Sequence, residues 1–129
     1  FLGLRQIKKA TLVSQRRNEN HLLYAKLLDG HVRFQDWGNH NPVSISFGAL
    51  ANSKEHRTEI VNRLVANGVE TRIYSAGNLG LHPFWVKRYG EFVDEVSNLI
   101  HSNGFFVPNY PEMSEEDIKF ICKVIKGEV

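Results

Sequence analysis

The stretch "EIVNRLVANGVETRIY" (residues 59–74) changes its period half-way along. Ile60, Val61, Leu64 and Val65 recur at helical spacing, and Gly68 suits the left-handed position just past a helix end. Val69, Thr71 and Ile73 then alternate with Glu70, Arg72 and Tyr74, as a half-buried strand requires. A helix thus hands over to a strand across a single glycine.

Upstream, "VSISFGALA" (residues 43–51) alternates more strictly. Val43, Ile45, Phe47 and Ala49 form one face, and Ser44, Ser46, Gly48 and Leu50 form another that is small enough to admit a ligand or a second backbone. Asn52 and Ser53 are caps for the helix that follows, with Glu55 placed for a capping box. Before these, "HVRFQDW" (residues 31–37) predicts a further short strand, and residues 1–28 predict one long helix whose middle, "SQRRNEN", is polar nearly all round. Such a helix spans between two bodies or lies beside a partner.

Downstream, "FVDEVSNLIHSNG" (residues 92–104) predicts a helix with Phe92, Val93, Val96, Leu99 and Ile100 inward. "FFVPNYP" (residues 105–111) reads as a short extended run that its prolines confine to a sheet edge or rim. Ser114 and Asp117 frame a capped closing helix that packs Ile118, Ile121, Cys122 and Ile125. The order α-β-β-α-β-loop-α-β-α predicts an α+β fold, a small, mostly antiparallel sheet with helices on one face.

The chain has 129 residues, enough for one core, and its 42% apolar and 23% charged residues are ordinary for a globular domain. A net charge of +2 does not by itself point to nucleic acid or membrane, and the strand aromatics lack the run of an RNA-recognition strand, so neither partner is expected. The single cysteine, Cys122, cannot form an internal disulfide and points to a reducing compartment. With no apolar run of membrane-spanning length and no charged-then-apolar leader, a cytoplasmic protein is expected. The chain opens on helix-like residues with no initiating methionine, which suggests a piece of something longer.

Six histidines supply the side chain most suited to proton transfer near neutrality. His21, His31, His40, His56 and His101 sit in helical patterns or beside turns without metal-ligand spacing, so no metal site is expected. His82 differs: Pro83 holds its backbone extended, while Gly77 and Gly80 let the preceding loop bend sharply. Arg72 is the second candidate. Its planar fork suits phosphate or carboxylate, and the competing reading is an exposed pair with Glu70. Neither GxxxxGK nor GxSxG occurs, which removes the usual handles of nucleotide hydrolysis and serine hydrolysis.

Three segments together resemble the DegT/DnrJ/StrS family of pyridoxal-phosphate sugar aminotransferases. They are "FLGLRQIKKATLVSQRRNENHLLYAKLL", the helix-to-strand step ending in "GVETR", and "FFVPNYPEMSEEDIKFI". The resemblance implies the C-terminal small domain of a fold-type I enzyme. Residues 1–28 would be its interdomain helix and residues 31–129 its α+β body, with the cofactor and its lysine in a large domain absent from this chain. It implies pyridoxal phosphate in the full-length enzyme but none on this chain alone, a nucleotide-sugar substrate with a 4-keto-6-deoxy sugar, a role in polysaccharide synthesis, and a homodimer.

By the same resemblance Arg72 is an anion anchor, His82 a polar contact or proton carrier, and Ser75 and Asn78 hydroxyl contacts. The run Ala76-Gly77-Asn78-Leu79 is more like the related sugar 3-dehydratases, and Tyr110 stands where the aminotransferases often carry a histidine. Amination and dehydration both remain open. A free-standing dimerising or binding module, self-associating through Leu2, Leu4 and Ile7, is the reading of another class.

Overall fold

A computed structural model describes residues 2–129. The expected long helix is two: α1 (Leu2–Ile7) and α2 (Ala10–Leu28), separated by a turn in which the Lys9 amide donates to the Gln6 carbonyl (2.9 Å). Phe1, with which that helix was expected to open, lies outside the described residues. Leu4, Ile7 and Leu12 are all exposed. Residues 3–12 are exposed throughout, so apolar burial does little to carry one helix across Lys8 and Lys9.

The rest comprises β1 (Ser46–Leu50), α3 (Lys54–Ala66), β2 (Arg72–Ile73), α4 (Pro83–Tyr89), α5 (Glu95–Asn103), β3 (Gly104–Pro108) and α6 (Glu115–Lys126), with two 3-10 turns between β2 and α4. The sheet is antiparallel throughout, in the order β1-β3-β2. Its core face carries Phe47, Ala49, Phe105 and Val107, buried against Tyr24 and Leu28 of α2, Ile60 and Leu64 of α3, and Ile118, Ile121, Cys122 and Ile125 of α6. Helices therefore cover one face of a small antiparallel sheet, the expected α+β arrangement. The Tyr24 ring stacks on Phe47 (centroids 4.9 Å apart), and its hydroxyl donates to the Pro108 carbonyl (3.0 Å). Burial pushes the Cys122 thiol up to about 12, as befits a packing group.

Several local expectations are corrected. Residues 31–37 do not form a strand; they contribute one bridge, Arg33 to Leu50. An Asp36 carboxylate oxygen accepts from the Gly38 amide (2.8 Å) and turns the chain, so that Phe34 and Trp37 stack and pack against the core instead of alternating across a sheet. β1 begins only at Ser46, leaving Val43 and Ile45 exposed. The β3 strand is central and not an edge. Pro108 occupies its last register position, opposite Ser46, so the prolines end the strand without interrupting it.

The helix expected from residue 92 starts at Glu95, capped by Asp94, whose carboxylate accepts from the Ser97 amide (2.7 Å). Phe92, Val93, Val96 and Leu99 are exposed, contrary to their expected inward face, and Ile100 is half-buried. In α3 the cap is Ser53, which accepts from the His56 amide (3.1 Å).

The closing helix follows its expected chemistry. Ser114 Oγ accepts from the Asp117 amide (3.2 Å), and Asp117 Oδ2 accepts from the Ser114 amide (2.9 Å). Each half satisfies a donor that the helix end leaves open. Replacing Ser114 with alanine is expected to lower stability by about 1 kcal/mol, read as a shifted urea midpoint with unchanged slope.

Candidate functional site

The sheet face away from the helices carries Gly48 of β1, Phe106 of β3 and Arg72 of β2. Arg72 lies opposite Phe106, and the Thr71 hydroxyl donates to the Phe106 carbonyl (2.9 Å). Arg72 Nη2 donates to Glu70 Oε1 (2.6 Å), with side chains 76% and 55% exposed. An ion pair this open contributes little to stability, which leaves the guanidinium available to exchange partners.

Tyr74 stacks on Phe106, centroids 4.5 Å apart. Both rings pass directly over Gly48, where a Cβ would meet Tyr74 Cε2 at 2.5 Å and Phe106 Cε1 at 2.7 Å. The small face noted in "VSISFGALA" thus admits two aromatic rings. Two shallow hollows flank the stack: one of about 210 Å³ beside Arg72, Thr71, Pro108 and Tyr110, another of about 270 Å³ beside His21, Gln35, Ser46 and Gly48.

After β2 the backbone departs from ordinary geometry. Ser75 (φ 45°), Ala76 (φ 67°) and Gly77 (φ 70°) are successively left-handed. Each such residue other than glycine costs about 1–2 kcal/mol. At Gly77 a side chain is excluded twice over, by the backbone angle and because a Cβ would collide with the His101 ring.

Asn78, expected to face a ligand, is only 4% exposed and is committed internally. Its Nδ2 donates to the Phe92 carbonyl (3.1 Å) and to Asn98 Oδ1 (2.6 Å), and its Oδ1 accepts from the Gly80 amide (2.8 Å). Its own amide donates to His101 Nδ1 (3.2 Å), so in this arrangement the His101 ring carries its proton on Nε2. Asn78 shapes the loop. Sequence reasoning missed Asn98 and His101 because the partners of a buried amide 20 or more residues away leave no spacing signal.

His82 joins the second 3-10 turn to α4, with the extended backbone its proline dictates (φ −75°, ψ 141°). The loop expected ahead of His82 therefore runs directly into a helix, and Pro83 is the first residue of that helix, where a missing N–H costs nothing. His82 Nε2 lies 2.9 Å from the Ala76 carbonyl oxygen. A carbonyl only accepts, so Nε2 carries the hydrogen, and in the neutral ring Nδ1 keeps its lone pair. The Ser75 side chain is exposed.

His21, in contrast, belongs to the packing. Its Nδ1 is 2.8 Å from Ser44 Oγ, its ring meets Trp37 and Phe47 edge-on at about 5 Å, and its Nε2 is buried without a partner. Burial holds its pKa below the ordinary imidazole value. The unfolded chain takes up a proton as pH falls through that ordinary value while the folded chain does not, so stability declines until the folded pKa is reached. Urea midpoints should fall between about pH 7 and pH 5, and His21→Leu should flatten that slope. Among the described residues no cluster of three His, Cys, Asp or Glu side chains is placed to hold a metal, and no helix is long and apolar enough to cross a membrane.

Residues 1–126 match the DegT/DnrJ/EryC1/StrS aminotransferase family. The chain belongs to that family. An uncharacterised protein of Methanocaldococcus jannaschii is 25% identical over 97% of this chain and 34% of its own length. The fold is shared with solved structures, two of which illustrate it. Escherichia coli GDP-4-keto-6-deoxy-D-mannose-3-dehydratase, described with bound hydrated PLP, superposes with a TM-score of 0.82 at 19% identity, over 95% of this chain and 33% of its own. Helicobacter pylori PseC, described as an aminotransferase involved in the biosynthesis of pseudoaminic acid, gives 0.84 at 17% identity, over 98% of this chain and 35% of its own. The chain spans about a third of the length of these relatives.

An aldehyde cofactor that a protein holds covalently is held through a lysine amine, as a Schiff base. Every lysine of this DegT/DnrJ/EryC1/StrS chain is exposed except half-buried Lys126, and none lines the hollows described above. The described residues do not fit a covalent cofactor site, and no chemical step is routed through one here.

Proposed function

We propose that this chain is the C-terminal part of a nucleotide-sugar aminotransferase that acts on a 4-keto-6-deoxy sugar in polysaccharide synthesis. The observation that carries this reading is a family match running from residue 1 to residue 126 in a chain one-third the length of its relatives. The pyridoxal phosphate and its lysine belong to a large domain outside these residues, the full-length protein is a cytoplasmic homodimer, and the chain alone is inactive.

Within that assembly Arg72 exchanges Glu70 for an anionic group of the substrate or cofactor, as its exposure and planar fork allow. His82 offers Nδ1 as an acceptor, and Ser75 offers its hydroxyl. A second reading, dehydration at C3 of the same class of sugar, is favoured by Ala76-Gly77-Asn78-Leu79.

The test is to read the frame upstream of Phe1, express the longer product beside the present chain, and supply each with a nucleotide-linked 4-keto-6-deoxy sugar and an amino donor. The longer product is expected to show pyridoxal absorbance and release an amino sugar, and the present chain neither. A 3-deoxy sugar would select the second reading. Turnover by the present chain, or an upstream frame with no cofactor domain, would overturn both.

A further inference from the structure

Ser75 and Ala76 are, among the described residues, the non-glycine positions with positive φ, and they are adjacent. Within the turn the backbone is closed by one hydrogen bond, from the Gly77 amide to the Tyr74 carbonyl (2.7 Å). Alanine has no side-chain group that compensates a left-handed backbone as asparagine or aspartate does. Something outside the turn must therefore hold it, and the hydrogen bond that reaches the Ala76 carbonyl comes from His82 Nε2.

His82 is itself anchored from behind. Its amide donates to the Leu79 carbonyl (3.0 Å), and its carbonyl accepts from the amides of Trp85 and Val86 (2.9 and 3.0 Å). The ring tip thus reaches back six residues from a fixed base.

We propose that His82 is a positioning residue: its Nε2–H latches the Ala76 carbonyl, holds the turn at Ser75–Ala76–Gly77 left-handed, and so sets how Tyr74 and Ser75 are presented beside Arg72. The latch requires a hydrogen on Nε2, which in the neutral ring leaves Nδ1 as the ring atom able to accept from a ligand. Its readouts need no substrate, so it stands or falls separately from the proposed activity.

The experiment uses the chain as it stands. Nitrogen-15 imidazole correlation spectra at neutral pH are expected to show His82 protonated at Nε2 and bare at Nδ1. His82→Ala is expected to speed amide exchange at Gly77 roughly five- to tenfold, with Phe105 and Val107 in the core strand unchanged as the gauge of global unfolding. Adding Ala76→Gly to that variant should bring Gly77 back to within about twofold of the parent, because glycine tolerates the left-handed backbone unaided. His82→Gln, which keeps a donor, should fall between. An Nδ1–H tautomer, unchanged exchange at Gly77 in His82→Ala, or failure of Ala76→Gly to restore it would each overturn the proposal. Should His82→Ala not fold, Ala76→Gly alone decides: it should slow exchange at Gly77, and no change would overturn the latch.

Discussion

Phe105→Ala is expected to lower stability by about 3–5 kcal/mol, a large part of what a domain of this size possesses. Phe105 is fully buried and lies in the middle strand, opposite Ala49 of β1 and Ile73 of β2, so its ring is where sheet and helical layer meet. Truncation removes apolar transfer energy and leaves a cavity that strands paired on both sides cannot readily close. Chemical denaturation monitored by far-ultraviolet circular dichroism should show an earlier midpoint with a single transition. Ile45→Ala is the control. That side chain is 77% exposed, and its removal should change stability by no more than about 0.5 kcal/mol. Equal losses for the two variants would mean that the core is not where the sheet places it.

Asn78→Ala is expected to act locally and nearly as strongly. It removes three side-chain hydrogen bonds at once and strands the Gly80 amide, the Phe92 carbonyl and Asn98 Oδ1. A buried partner left dry costs about 1–3 kcal/mol, so roughly 3 kcal/mol is expected against the loop even if water reaches one of the three. Because these contacts join residues 78–98 and not the core, the loop should open before the sheet does. Amide exchange at Gly80 should rise far more than at Val107, and Trp85, which lines a hollow together with Asn78, Gly80 and Phe92, should report the opening by its fluorescence. Asn78→Asp should not rescue it. Aspartate keeps the acceptor for Gly80 but turns a carboxylate toward two oxygens. If both amides exchanged in step, the loop would be part of the core's cooperative unit.

Legibility from sequence followed the range of the forces involved. The α6 helix could be read cap and buried stripe together, Val124 apart, because a capping box spans three residues and an apolar stripe repeats every turn. The small face of β1 was visible for the same reason, with Gly48 marking a close approach, although the rings that use it lie 26 and 58 residues further on. The reading failed where an apolar pattern did not decide what it packs against. Residues 31–37 alternate like a strand but fold back on themselves through Phe34 and Trp37. The apolar residues of 92–99 match a core face but find no core to cover. In the candidate site, Arg72 and His82 could be singled out from their residue types and neighbours. The role of Asn78 could not, since its partners are defined only once the loop has closed.

The sequence by itself determined the α+β class, the family, the capped helices and the glycine-shaped turn that follows β2, because periodicity, capping and backbone freedom are properties of neighbouring residues. The tertiary structure alone decided that β3 is central, that Asn78 faces inward, and that the His82 ring closes on a left-handed turn at Ser75–Ala76. Each of these depends on which distant groups reach hydrogen-bonding or van der Waals distance, and no local spacing encodes that outcome.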